Sequence, residues 1–96
     1  MTQRSRQRPG HHAVYAISVA ADIVGTNVQN LRVYERRGLL EPQRTDGGTR
    51  LYSQDDLDRL VRIVELLEAG VNLAGIALVL DLEAENARLR GAPTRA

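Results

Sequence analysis

Two apolar-periodic segments in the first half of the chain are each cut off by a glycine after a few turns, and this limits the helices there to short pieces. The first runs from Ser18 through Val19, Ala20, Ile23 and Val24 to Gly25. The Ser18 hydroxyl can cap its start, and Gly25 can take up the left-handed conformation that ends helices. Thr26 then stands where a second cap belongs, with Gln29 as its capping-box partner and Val28, Leu31 and Tyr34 spaced for a buried stripe. Gly38 ends that segment, and Leu39 supplies the apolar contact usual after a glycine C-cap. Two short helices joined through a glycine-containing turn form a helix-turn-helix, a pattern whose second helix suits the major groove of DNA.

From Leu40 to Tyr52 the helical period disappears. Pro42 forbids continuing the helix, and Asp46-Gly47-Gly48 marks a turn between two extended arms, the hairpin or wing of a winged domain. Alternation along the second arm puts Arg50 and Tyr52 on one face and Leu51 on the other. Ser53 with Asp56 forms a capping box for a third helix, whose apolar set is Leu57, Leu60, Val61, Val64 and Leu67. Ala69-Gly70 ends it, and Asn72 can cap a fourth helix carrying Leu73, Ile76, Ala77 and Leu80. Nothing stops that helix at Asp81, so it either bends or runs on towards Arg90. Leu82 and Leu89, with Asn86 between them, fit the seam positions of a short coiled coil.

The expected fold is therefore mainly α with a small β-hairpin: a winged helix-turn-helix, a helical pair and a short C-terminal helix. Residues 1–13 read as a flexible basic arm, 14–80 as the DNA-binding domain, 81–90 as a dimerisation helix and 91–96 as a disordered tail. A chain of 96 residues allows one domain with a modest core. The absence of cysteine excludes disulfides and thiolate metal sites, and His11 and His12 have no further ligand at metal spacing. No metal, cofactor or catalytic residue is expected, since the acids gather on helices without a convergent nucleophilic or basic partner. No apolar run approaches membrane length, so the expected location is the cytoplasm, with the nucleoid, and no membrane.

The net charge of +1 conceals a division along the chain. Residues 1–52 hold eight arginines against four acids, a formal charge of +4, whereas residues 53–96 hold five against eight, or −3. All 13 basic residues are Arg, whose planar fork grips phosphate or a guanine edge with two parallel bonds. The outward set of the second helix is Asn27, Gln29, Asn30, Arg32, Val33, Arg36 and Arg37, and its polar members are accordingly assigned to double-stranded DNA. Tyr34 joins it through its hydroxyl, and Arg44, Arg50 and Tyr52 act from the wing.

The strings Ile17-Ser18-Val19-Ala20-Ala21, Leu31-Arg32-Val33-Tyr34-Glu35, Gly38-Leu39-Leu40 and Gly48-Thr49-Arg50-Leu51-Tyr52 occur in an order that resembles the MerR family of bacterial regulators, over roughly Tyr15 to Leu80. Arg44-Thr45-Asp46-Gly47-Gly48 and Gly70-Val71-Asn72-Leu73-Ala74-Gly75-Ile76 look most like its HspR-type heat-shock repressors. The resemblance implies a repressor that binds an inverted-repeat operator as a dimer through a helix after the domain, with a DnaK-type chaperone as co-repressor. It also implies DNA contact by Arg32. Only about ten residues follow Leu80 before Gly91, short for a self-sufficient helix, so a weak homodimer strengthened on DNA is expected. The alternative is an excisionase-like recombination accessory protein, which shares this small winged architecture.

Overall fold

The computed structural model describes residues 9–91, and two compact units divide the chain after Val64. The first eight residues of the expected basic arm, and the tail beyond Gly91, lie outside the described residues.

The first unit opens with a 3-10 turn, Pro9–His11, and strand β1, Ala13–Ala16. Both begin inside the segment expected to be an arm, and the reason is non-local. β1 pairs antiparallel with β3, Arg50–Ser53, matching Ala13 to Ser53 and, past a bulge between Ala13 and Tyr15, Tyr15 to Tyr52 and Ala16 to Leu51, and His11 Nδ1 meets Asp55 Oδ2 at 2.9 Å. β3 also pairs with β2, Gln43–Arg44, so the sheet order is β1-β3-β2 and the wing hairpin carries a third strand that local patterning did not reveal.

Helix α1, Ile17–Val24, starts directly from the strand. Its N-cap is Ala16, without a side-chain cap bond, so Ser18 falls inside the first turn instead of capping it. Sheet pairing fixes Ala16 in the extended conformation that a cap needs. α1 touches β1, β3 and α2, and it buries Ala20 and Ala21, whose small side chains permit close approach. Val19 and Ile23, which belong to the same apolar period, are exposed.

Gly25, at φ 85°, closes α1 with its N–H donating to Ala21 O. Helix α2, Val28–Arg36, is capped by Asn27, whose Oδ1 accepts from the Asn30 N–H at 2.8 Å, one residue later than expected. Thr26 is occupied differently, accepting from Asn30 Nδ2 at 2.9 Å. Gly38, at φ 78°, turns the chain so that the Leu39 N–H reaches Tyr34 O at 2.8 Å, and Leu39 is buried as the sequence indicates.

Helix α3, Gln54–Glu68, begins with the expected capping box: the Ser53 N–H donates to Asp56 Oδ2 at 2.9 Å and the Asp56 N–H to Ser53 Oγ at 3.1 Å. Arg59 on α3 donates from Nε to Leu39 O at 2.5 Å, tying the helix to the end of the helix-turn-helix. Leu57, Leu60 and Ile63 are buried with Leu31, Tyr34, Leu40 and Tyr52, forming an aliphatic core around two tyrosines.

The second unit takes in the end of α3 and helix α4, Leu73–Gly91. The Asn72 side chain caps α4, accepting from the Gly75 N–H at 2.8 Å. Ile76 and Leu80 are buried, as is Leu66, whereas Leu67, expected in the core, is exposed. The expected separate C-terminal helix is the continuation of α4, because no glycine or proline interrupts the hydrogen-bond ladder between Gly75 and Gly91. Among the described residues no helix is long and apolar enough to cross a membrane.

Leu60 is fully buried in the first unit. Leu60→Ala is expected to destabilise by about 2–5 kcal/mol in denaturant unfolding, the range for truncating a buried leucine. A loss below about 0.5 kcal/mol, typical of surface sites, would mean that the core lies elsewhere.

Candidate nucleic-acid interface

One side of α2 and the wing beside it hold five of the seven described arginines of the first unit. On α2, Gln29, Arg32 and Arg36 recur at steps of three and four, which places them on one helical face, and all three are exposed. Arg37 follows at the C-cap, also exposed. None of these four side chains has a hydrogen-bonding partner among the described residues. Glu35, three residues further along α2, is engaged by Arg44 and Arg50. Leu31 and Tyr34 on the opposite side are buried, so the core fixes which way the row faces.

Asn27 and Asn30 sit at the start of the same helix but spend their polar atoms locally. The Asn27 oxygen caps α2, and the Asn30 amide bonds Thr26. Their first role is to set the helix start. Tyr34 is buried and hydrogen-bonded through its side chain to Thr26, and burial pushes its phenol above its ordinary pKa. Tyr52, assigned to the DNA face by strand alternation, is fully buried, with a hydroxyl that has no partner among the described residues. Both tyrosines are therefore core residues. For Tyr52 the reason is that β3 is the central strand of the sheet, so the inward side of its pleat lies within the core.

The wing arginines converge on Glu35. Arg50 Nε meets Glu35 Oε1 and Arg44 Nη2 meets Glu35 Oε2, both at 2.5 Å, while Arg44 Nη1 donates to Gly48 O at 3.2 Å across the hairpin turn. Burial alone would raise the Glu35 pKa, but the hydrogen bond and charge of Arg50, joined by those of Arg44, hold it below its ordinary value. Reciprocally, the bond to Glu35 raises that of Arg50. Sequence reasoning overlooked Glu35 as a centre of this arrangement. Its signal was present, since it is the only acid between Asn27 and Leu40. A lone acid at the boundary between a buried stripe and a basic face is well placed to serve two cations.

The proposed dimerisation residues lie on α4. Leu82, Asn86 and Leu89 are exposed along one side, at intervals of four and three. Leu78, four residues before Leu82, is equally exposed and extends the stripe, although the sequence reading omitted it. Among the described residues no group of three or more His, Cys, Asp or Glu gathers as a metal site would require.

Residues 15–83 match the family described as MerR HTH family regulatory protein. The heat shock protein HspR of Streptomyces coelicolor is 45% identical over 78 residues, covering 80% of this chain and 52% of its own length. The HTH-type transcriptional regulator TnrA of Bacillus subtilis is 36% identical over 80 residues, covering 83% of this chain and 71% of that protein. Among solved structures, the N-terminal part of MtaN, the multidrug transporter activator of Bacillus subtilis, is 33% identical with a TM-score of 0.67, covering 85% of this chain and 87% of that one. The chain spans about half the length of HspR and of the GlnR regulators it also matches, at 52% in each case. With its winged helix-turn-helix in place and most of its length matched, the chain belongs to the MerR HTH family of regulatory proteins.

Proposed function

We propose that this chain is a sequence-specific DNA-binding transcriptional regulator that represses from an inverted-repeat operator. The observation that carries the proposal is the exposed row Gln29, Arg32 and Arg36 on a helix whose opposite face is locked into the core. A guanidinium or amide without a protein partner can form paired bonds to a guanine or adenine edge. In this reading Arg32 is the principal base contact, Arg36 and Arg37 hold phosphate, and Arg50 adds a phosphate contact from the wing. Asn27 and Asn30 orient the helix start, and Arg44 braces the wing. The regulatory role of the family agrees with this chemistry.

The likeness to HspR extends the proposal to control of heat-shock genes, with a DnaK-type chaperone as the candidate co-repressor. The same reading makes the chain a non-enzymatic protein acting at the cytoplasmic nucleoid. Leu78, Leu82 and Leu89 of α4 form the seam of a homodimer, with Asn86 fixing register. Three leucines from each chain, six in all at about 1.5–3 kcal/mol each, stand against an association cost of about 4–15 kcal/mol; the two ranges overlap, so the seam alone gives a marginal dimer without DNA.

Arg32→Ala is expected to cost about 1–3 kcal/mol at the preferred site while sparing binding to random duplex. Arg50→Ala is expected to weaken both and to reduce the salt slope by about one. Titrations at several salt concentrations measure both effects, and unchanged affinity in two folded variants would remove the proposed face. Sedimentation at micromolar concentration is expected to find mainly monomer alone and two chains on an inverted repeat with half-sites about one helical turn apart. One chain per duplex even there would favour the excisionase-like alternative.

A further inference from the structure

Glu35 presents an electrostatic puzzle on the proposed DNA face. A carboxylate among arginines facing a polyanion should weaken binding, and removing it would add one positive charge to the face. Its geometry points the other way. One carboxylate oxygen takes Arg50 through Nε and the other takes Arg44 through Nη2. The two arginines are then left in different states. Arg44 spends its second arm on Gly48 O, closing Glu35, the wing strand and the hairpin turn into one brace. Arg50 gives only its Nε, and its two terminal nitrogens have no partner among the described residues. The guanidinium is fixed at one edge and open at the other, the form in which it grips phosphate with the least further ordering. Arg50 is also half-buried, and its neighbours Leu51 and Tyr52 are held in the central strand, so its backbone has little freedom of its own.

We propose that Glu35 is a positioning residue for DNA binding, which orders Arg50 for a phosphate through its Nε and braces the wing against α2 through Arg44. This rests on the reading of α2 and the wing as the DNA face. It assigns different tasks to the two wing arginines and a favourable role to an acid that charge alone would count as unfavourable. The ordering is done before DNA arrives, so phosphate binding does not have to fix a long side chain at the same moment.

The test is a set of full-length variants, Glu35→Gln, Glu35→Asp, Arg50→Ala and Glu35→Gln with Arg50→Ala, titrated with a random-sequence duplex at several salt concentrations. Circular dichroism confirms that each is folded. Glu35→Gln is expected to weaken binding by about tenfold, the scale of one charged hydrogen bond, and to lower the salt slope. Glu35→Asp keeps the charge but shortens the reach, and it is expected to weaken binding too. In the Arg50→Ala background Glu35→Gln is expected to change affinity by less than about twofold, because the partner it acts through is gone. Tighter binding and a steeper salt slope in Glu35→Gln would overturn the positioning role and leave simple repulsion, as would equal effects of Glu35→Gln with and without Arg50. If Arg32→Ala binds the preferred site normally and Arg50→Ala binds the random duplex normally, the DNA face itself is wrong and Glu35 falls with it. If those two weaken binding and Glu35→Gln does not, the face stands and only the positioning role is lost.

Discussion

The pairing of β3 with two neighbours is the interaction on which the first unit depends. The strand is four residues long, and each residue serves a different part of the fold. Arg50 reaches Glu35 on α2, and Leu51 pairs with Ala16 on one side and Gln43 on the other. Tyr52 fills the core, and Ser53 caps α3. A hairpin with only two strands would be marginal in water. β1 supplies the third, and because it runs straight into α1 it couples the sheet to the helix-turn-helix. The wing is thereby tied to the core through its central strand, while its tip at Thr45–Thr49 is exposed.

Features held by near neighbours were legible in the sequence. The Ser53–Asp56 capping box, the Asn72 cap and the Gly38–Leu39 helix end each involve residues a few positions apart, and all three occur. The second cap lay one residue away because Thr26 and Asn27 are both good caps, and Tyr34 and Asn30 recruit the Thr26 hydroxyl. α3 shows a different limit. It is apolar at Leu57, Leu60, Val61, Ile63, Val64, Leu66 and Leu67, so more than one stripe satisfies helical spacing. Packing selected Leu57, Leu60, Ile63 and Leu66 and left Val61 and Leu67 exposed. β1 was invisible because Ala13–Ala16 carries little strand signal of its own and is defined by a partner almost forty residues away.

For the candidate site, the exposed basic row of α2 could be read directly, since helical geometry turns Gln29, Arg32 and Arg36 away from Leu31 and Tyr34. The wing could not be divided into contacts and supports in that way. Strand alternation correctly separates Tyr52 from Leu51, but it cannot say which side of a central strand meets the core. Nor can spacing reveal that Arg44 and Arg50, six residues apart, share one carboxylate from another element. Charge counting makes the same error in a different form, because it treats Glu35 only as a subtraction from the basic face.

Residue-resolved amide chemical shifts, followed as duplex DNA is added to the isotope-labelled chain, test the central claim most directly. If the DNA face is α2 with the wing, the largest changes fall on Gln29, Arg32, Arg36 and Arg37 and on the hairpin from Arg44 to Arg50. The solvent-facing residues of α1, including Val19 and Ile23, should change little. Changes concentrated on α1 or along α4, with α2 and the wing silent, would contradict it.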